Sequence, residues 1–163
     1  MTKVYIALGS NIGDGMELLE KAIQMMQPLT NGSISCSSFW KTEPVDMEDA
    51  GWFTNAVVAF DTSLKAFELL EALQRIERSN GRPVDHGRNT SRRLDLDIVT
   101  YGEEILVEEG LQLPHPRARD RLFVLLPLEE LAPHFRFPGD ERAIATLIQC
   151  ANGIHMEKLG GRG

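Results

Sequence analysis

A chain of 163 residues, 42% hydrophobic and 25% charged, has the length and apolar content of one globular domain with a substantial core. A formal net charge of −7 argues against general affinity for nucleic acid or anionic membrane surfaces. No run approaches the length of a membrane span, and the apolar stretch Val4–Leu8 is too short for a signal peptide, so a cytoplasmic protein is expected. Cys36 and Cys150 are far apart and in no metal-type spacing, as suits reduced thiols.

In chain order, Val4–Leu8 reads as a short buried strand ended by Gly9-Ser10-Asn11. Residues 15–27 carry Met16, Leu19, Ala22, Ile23 and Met26 at helical spacing. Ser33–Phe39 reads as a second strand, residues 41–51 as a polar loop, and Phe53–Phe60 as a third strand. Ser63 can cap a helix with a stripe at Ala66, Leu69, Leu70, Leu73 and Ile76, ended by Asn80-Gly81. Residues 82–92 form a loop, a strand follows from Leu94, and Tyr101-Gly102-Glu103-Glu104 turns into a short strand at Ile105–Val107. Leu122–Leu131 and Ile144–Cys150 read as helices, and the tail from Leu159 to Gly163 as loose. The order β-α-β-β-α-β, with later additions, predicts an α+β, ferredoxin-like fold: a mainly antiparallel sheet, two helices on one face, and the later helices over part of the other in a three-layer αβα arrangement.

The run Arg92-Arg93-Leu94-Asp95-Leu96-Asp97-Ile98-Val99 is the most specific feature. In a strand, Leu94, Leu96 and Ile98 share one face and Asp95 and Asp97 the other, with the two aspartate Cα atoms about 6.5–7 Å apart. Carboxylates held so close repel unless a cation lies between them or one is protonated. Hard cations such as Mg²⁺ take one or two carboxylates plus substrate phosphates, and arginines are the natural partners of those phosphates. For an isolated pair of this kind an exposed strand face balanced by neighbouring arginines is the favoured reading, since such short motifs are common by chance. Arg75, Arg78, Arg82, Arg88, Arg92 and Arg93 in one window, with Arg117, Arg119 and Arg121 in another, make nine of the 17 basic residues, a concentration that suits a small polyanion.

Other candidates are weaker one by one. Gln74 and Glu77 are neighbours on a helix face and could recognise a heterocycle edge, or could be two solvated residues. Phe53 and Asn55 alternate on one strand face, where a ring and an amide could stack on and read a flat ligand, with Phe123 as a second ring. Core packing and a strand-end cap are the other readings. His115, held between Pro114 and Pro116, is a phosphate contact or a structural loop histidine.

Taken together, these residues resemble the 6-hydroxymethyl-7,8-dihydropterin pyrophosphokinase family. The resemblance runs from Ala7-Leu8-Gly9-Ser10-Asn11 to Phe137-Pro138-Gly139. It rests on Ser37-Ser38-Phe39-Trp40-Lys41-Thr42-Glu43-Pro44, Phe53-Thr54-Asn55-Ala56, Gln74-Arg75-Ile76-Glu77-Arg78, the aspartate strand and Pro114-His115. It implies a single pyrophosphokinase domain over residues 1–163 that moves the terminal diphosphate of ATP to the pterin hydroxymethyl oxygen and releases AMP. It implies two Mg²⁺ ions on Asp95 and Asp97, and Arg82 and Arg92 acting on the phosphates during catalysis. His115 and Arg121 would bind the triphosphate, and Gln74, Glu77 and the Ile98 backbone would help hold ATP. Phe53 and Phe123 would sandwich the pterin, while Asn55, Thr42 and the Val45 backbone read its edge. ATP and the dihydropterin are then the partners, and a monomer is expected.

The chain departs from the family pattern at Asn89, Thr90-Ser91, Pro116 and Glu43, which bear on loop closure and phosphate contacts. A Mg²⁺-dependent phosphohydrolase or nucleotidyl transferase could use the same two aspartates but leaves Phe53, Asn55 and Phe123 unexplained. A non-catalytic nucleotide-binding module leaves the paired carboxylates unexplained.

Overall fold

The computed structural model describes residues 1–10, 15–43, 52–80, 94–151 and 153–159. In chain order its elements are β1 (Thr2–Ser10), α1 (Gly15–Met26), β2 (Ser35–Cys36), β3 (Trp40–Thr42), β4 (Phe53–Thr62) and α2 (Ala66–Ser79). Then come β5 (Asp95–Tyr101), a hairpin of β6 (Leu106–Glu108) and β7 (Leu111–Leu113), α3 (Leu122–Leu131), α4 (Ile144–Cys150) and β8 (Met156–Lys158). The main sheet has the order β5-β1-β4-β3-β8, with β2 also on β4, and every pairing is antiparallel. Because β4 lies between β1 and β3, those two run parallel to each other, as in a split βαβ unit.

Period-two alternation assigns the two faces. Val4, Ile6 and Leu8 of β1, Ala56, Val58 and Phe60 of β4, and Leu96 and Ile98 of β5 face α1 and α2. Leu19, Ala22, Ile23 and Met26 of α1 and Leu69, Leu73 and Ile76 of α2 complete that core, the stripes that the helical period predicts. On the other face Val57 and Val99 meet Val124, Leu125 and Leu128 of α3 and Ile144 and Leu147 of α4, with Phe137 buried among them. The fold is the expected α+β, three-layer αβα arrangement around a ferredoxin-like core. No helix among the described residues is long and apolar enough to cross a membrane.

Where local structure departs from the sequence reading, a specific contact is the reason, and in most cases a long-range one. The strand expected at Ser33–Phe39 is interrupted because Ser37 enters the ladder with its side chain: Val57 N–H donates to Ser37 Oγ (3.0 Å), and Ser37 N–H donates to the Val57 carbonyl (2.9 Å). The strand resumes at Trp40–Thr42, at the start of the expected polar loop, because β4 and β8 pair with it on either side. Helix α2 begins at Ala66 rather than beside Ser63, since the Glu68 carboxylate reaches back to the Lys65 N–H (2.8 Å). The strand after Tyr101 gains the partner β7, and β8 has no counterpart in the local pattern. Of the tail expected to be loose, Leu159 donates its N–H to the Phe39 carbonyl (2.8 Å), and residues 160–163 lie outside the described residues.

Glu130 of α3 ties this interrupted edge down. Its carboxylate accepts the Ser38 N–H (3.2 Å), the Ser38 hydroxyl (2.7 Å) and the Trp40 indole N–H (3.0 Å), and lies 3.6 Å from Lys158 Nζ. That ammonium also sits over the Trp40 ring, 5.3 Å from its centroid. Partial burial pushes the Glu130 pKa up, but the hydrogen bonds from Trp40 and Ser38 and the Lys158 charge outweigh it, and the group lies below the ordinary glutamate value. A depressed carboxylate pKa stabilises the fold above the unfolded-chain value, about 4.3, and that contribution disappears as pH falls through the folded value. Glu130→Ala should therefore cost about 1–3 kcal/mol at pH 7. The difference from the wild type should narrow as pH falls below about 4.3 and through the lower folded-state value, as urea unfolding over a pH series will measure.

Candidate active site

Strand register sets out the site in rows across the face that α3 only partly covers. Asp95 of β5 pairs with Gly9 of β1, and Gly9 with Asn55 of β4; one step along, Asp97 pairs with Ala7 and Ala7 with Val57. Beyond Asn55, Phe53 of β4 pairs with Thr42 of β3. Adjacent strands lie about 4.8 Å apart, so two strand spacings, close to 10 Å, separate the carboxylate row from the amide. The floor between them is glycine and alanine. A Cβ on Gly9 would stand 2.9 Å from Asn55 Oδ1, so only glycine leaves the amide its place.

Over this floor opens a cavity of about 860 Å³, within the usual size of a small-molecule site. Asp95, Asp97, His115 and Arg121 line it, as do Thr42, Phe53, Asn55 and Phe123. The carboxylates come from β5, whose Leu96 and Ile98 anchor the strand from behind. An irregularity in the β1–β5 register follows: Tyr5 pairs with Thr100 but Ile6 with Ile98, leaving Val99 as the extra residue. The Val99 carbonyl accepts the His115 N–H (2.9 Å), which fixes the histidine beside the aspartate strand. The Leu113–Pro114 peptide leading to it is cis.

The His115 ring has a defined tautomer. Arg117 N–H donates to its Nδ1 (3.1 Å), so that nitrogen keeps its lone pair and the proton of the neutral ring resides on Nε2. Burial lowers the His115 pKa from its ordinary value; Asp97 opposes this, and Arg121 and Arg117 reinforce it. At neutral pH the ring is a neutral N–H donor. Arg121 precedes α3, and its guanidinium lies over the Phe123 ring, 5.3 Å from the centroid. Burial lowers its pKa and Asp97 resists the change, but a guanidinium stays charged throughout the working range. This side of the cavity thus combines two acids with a fixed cation and a neutral donor.

The other side is aromatic and amide-lined. Asn55 is buried, and its Nδ2 donates to Thr42 Oγ1 (2.7 Å). That bond occupies a lone pair of the hydroxyl and leaves its O–H as a donor. Rings at Phe53 and Phe123 with these polar atoms beside them can hold a flat heterocycle and read its edge.

The helix residues singled out in the sequence lie elsewhere. Gln74 is exposed, and neither it nor Glu77 lines the cavity. Glu77 is only 6% exposed, and its Oε2 accepts the Leu96 N–H (2.8 Å), between the two aspartates. This carboxylate therefore holds the sheet's edge strand in position at the point where the acids leave it. The Ile98 side chain belongs to the core behind the sheet, so only its backbone is available at that edge. Val45, Arg82 and Arg92 lie outside the described residues, as do Asn89, Thr90 and Ser91. Sequence reasoning missed Gly9 as a required gap, and missed Glu43, Asp120, Gly153 and Ile154 as lining residues. The glycine that ends a strand was a signal for the first; nothing local marked Gly153 or Ile154, which β8 carries in from the far end of the chain.

A ferredoxin-like sheet that sets paired carboxylates, a guanidinium and an imidazole donor on one side of an aromatic cavity has the equipment of a phosphoryl-transfer enzyme. The chain belongs to the 7,8-dihydro-6-hydroxymethylpterin-pyrophosphokinase family, whose model matches residues 5–133. That family's activity is pyrophosphoryl transfer to hydroxymethyldihydropterin in folate biosynthesis, and the chain is an enzyme of this kind. It is 40% identical over 160 residues to the 2-amino-4-hydroxy-6-hydroxymethyldihydropteridine pyrophosphokinase of Haemophilus influenzae, covering 98% of this chain and 99% of the relative. The enzyme of the same name from Pseudomonas aeruginosa is 38% identical over 160 residues, covering 98% of each. The crystal structure of wild-type Plasmodium falciparum HPPK-DHPS superposes with a TM-score of 0.72 at 14% identity, over 91% of this chain. At that identity the likeness concerns the fold, and the chain spans 43% of that longer protein.

Removing the buried acceptor of the Leu96 N–H should loosen the aspartate strand. Glu77→Ala is expected to lower unfolding free energy by about 1–3 kcal/mol, the cost of an unpaired buried donor, as chemical denaturation will measure.

Proposed function

We propose that the chain transfers the terminal diphosphate of ATP to the hydroxymethyl oxygen of 6-hydroxymethyl-7,8-dihydropterin, with Asp95 and Asp97 as the ligands of two Mg²⁺ ions. A bond forms between the hydroxymethyl oxygen and the β-phosphorus as the bond from that phosphorus to the oxygen bridging it to the α-phosphate breaks. The hydroxyl proton is lost and AMP departs. The observation that carries this reading is the row Asp95–Gly9–Asn55: an acidic wall and an amide-aromatic wall face one cavity across a floor without bulky side chains.

The donor set suits the metal. Two carboxylates share one face, and the described residues hold no cluster of three or more histidines, cysteines or acids that would make a self-sufficient metal cage. Mg²⁺ takes its remaining oxygens from water and substrate phosphates, and bound there would neutralise charge on the transferring group. Arg121 and the Nε2–H of His115 donate to the triphosphate, while Arg82 and Arg92 act on the phosphates during transfer. The Ile98 backbone helps hold ATP, and Glu77, from outside the cavity, supports that end by fixing the Leu96 N–H of the aspartate strand. Phe53 and Phe123 stack on the pterin, and Thr42, Asn55 and the Val45 backbone read its polar edge. Phosphoryl transfer asks little covalent chemistry of a protein, so positioning and charge placement supply the rate. The enzyme acts as a single-domain monomer in the cytoplasm; thiols at Cys36 and Cys150 suit a reducing compartment.

Chromatography of a mixture of protein, MgATP and 6-hydroxymethyl-7,8-dihydropterin tests the reaction. AMP should appear only when the pterin is present, one per pterin diphosphate; ADP instead would show a kinase or ATPase. Asp95→Ala and Asp97→Ala should each lower kcat by about a thousandfold or more, given several kcal/mol of charge stabilisation. Chelation with EDTA should abolish turnover of the wild type.

A further inference from the structure

Glu43 has no part in the proposed reaction, although it follows Thr42 directly and lines the cavity. It is bound twice to one residue far along the chain. Its N–H donates to the His155 carbonyl (3.1 Å), and its Oε1 accepts the His155 N–H (2.8 Å). The first bond carries the β3–β8 ladder one step past the Thr42–Met156 pair. The second fixes, through a side chain, where the chain enters β8. Just before that point Gly153 and Ile154 reach the cavity and form part of its wall.

The same histidine also touches the neighbouring strand. Its ring meets Trp52 edge-on, with centroids 5.5 Å apart and planes at 88°. Trp52 directly precedes Phe53, and the ammonium of Lys41, next to Thr42, lies 4.8 Å from the Trp52 ring centroid. One residue of the C-terminal segment thus braces the ends of β3 and β4 where Thr42 and Phe53 stand.

We propose that Glu43 is a positioning residue for the acceptor end of the cavity: its carboxylate docks the His155 backbone, seats Ile154 in the wall, and so holds Thr42 and Phe53 at the geometry that binds the pterin. This rests on the reading that Thr42, Phe53 and Asn55 take the pterin. Glu43 acts through His155 and Ile154 and takes no part in holding phosphate. The bond to the His155 N–H requires an acceptor oxygen rather than a charge, so a glutamine amide can replace the carboxylate.

Steady-state kinetics of the full chain, with each substrate varied in turn, tests the proposal. Glu43→Ala should raise the pterin KM about five- to tenfold, the worth of one lost hydrogen bond, with kcat and the ATP KM within about twofold. Glu43→Gln should behave as the wild type, and Ile154→Ala should raise the pterin KM alone. An equal rise in the ATP KM, or a Glu43→Gln variant as impaired as Glu43→Ala, overturns the positioning role. Asn55→Ala is the reference for the acceptor end. If it raises the pterin KM and Glu43→Ala does not, the positioning role falls while the acceptor assignment stands. If neither variant changes the pterin KM, the acceptor assignment fails and the positioning role with it.

Discussion

The in-register pairing of β1 with β4 on one side and β5 on the other is the constraint from which the site follows. Each of these strands buries alternate apolar side chains against α1 and α2, which commits the intervening residues to the opposite face. A slip of one residue in β5 would send Asp95 and Asp97 into the core and Leu96 towards solvent, so the energy that packs the core also aims the acids. The same register places Gly9 and Ala7 between the carboxylates and Asn55, and their small size makes a surface into a cavity floor.

Because β5 is the edge of its sheet, its outer backbone groups have no strand partner in β1, and a side chain meets part of that need. Glu77 reaches the Leu96 N–H from α2, and the hairpin of β6 and β7 delivers His115 to the Val99 carbonyl. Edge groups left unpaired inside the protein would cost more than the hydrogen bonds gain. Satisfying them therefore stiffens the strand that holds the acids and brings a nitrogen donor next to Asp97. The opposite edge is handled by addition: β8 covers β3, and Glu130 fastens the interrupted β2–β3 segment to α3.

The two walls of the cavity differ in the interaction they offer. On the β5 side, two acids, the guanidinium of Arg121 and the neutral Nε2–H of His115 set a fixed pattern of charge and hydrogen-bond donors. On the β4 side, a buried amide already bonded to a threonine hydroxyl shares the cavity lining with Phe53 and Phe123, a combination able to stack on a flat ring and direct a few hydrogen bonds. Two walls of such different character stand side by side because strands from different parts of the chain supply each of them.

The β-α-β-β-α-β order, the two stripes on α1 and α2, and the outward pair Asp95 and Asp97 were determined by local pattern, because period 3.6 and period 2 are properties of short segments. Phe53 and Asn55 were legible for the same reason, as alternate residues of one strand. The burial of Glu77 was not legible, because it depends on α2 lying along the edge of β5, which no window of sequence contains. The interruption at Ser37, the docking of His115 on the Val99 carbonyl, and the entry of Gly153 and Ile154 into the cavity likewise depend on partners distant in sequence. Sequence by itself thus determined the elements, their faces and the residue types that carry the chemistry. Only the tertiary structure decided which of those residues meet, because hydrogen-bond partners and packing across strands are made between segments that local periodicity does not relate.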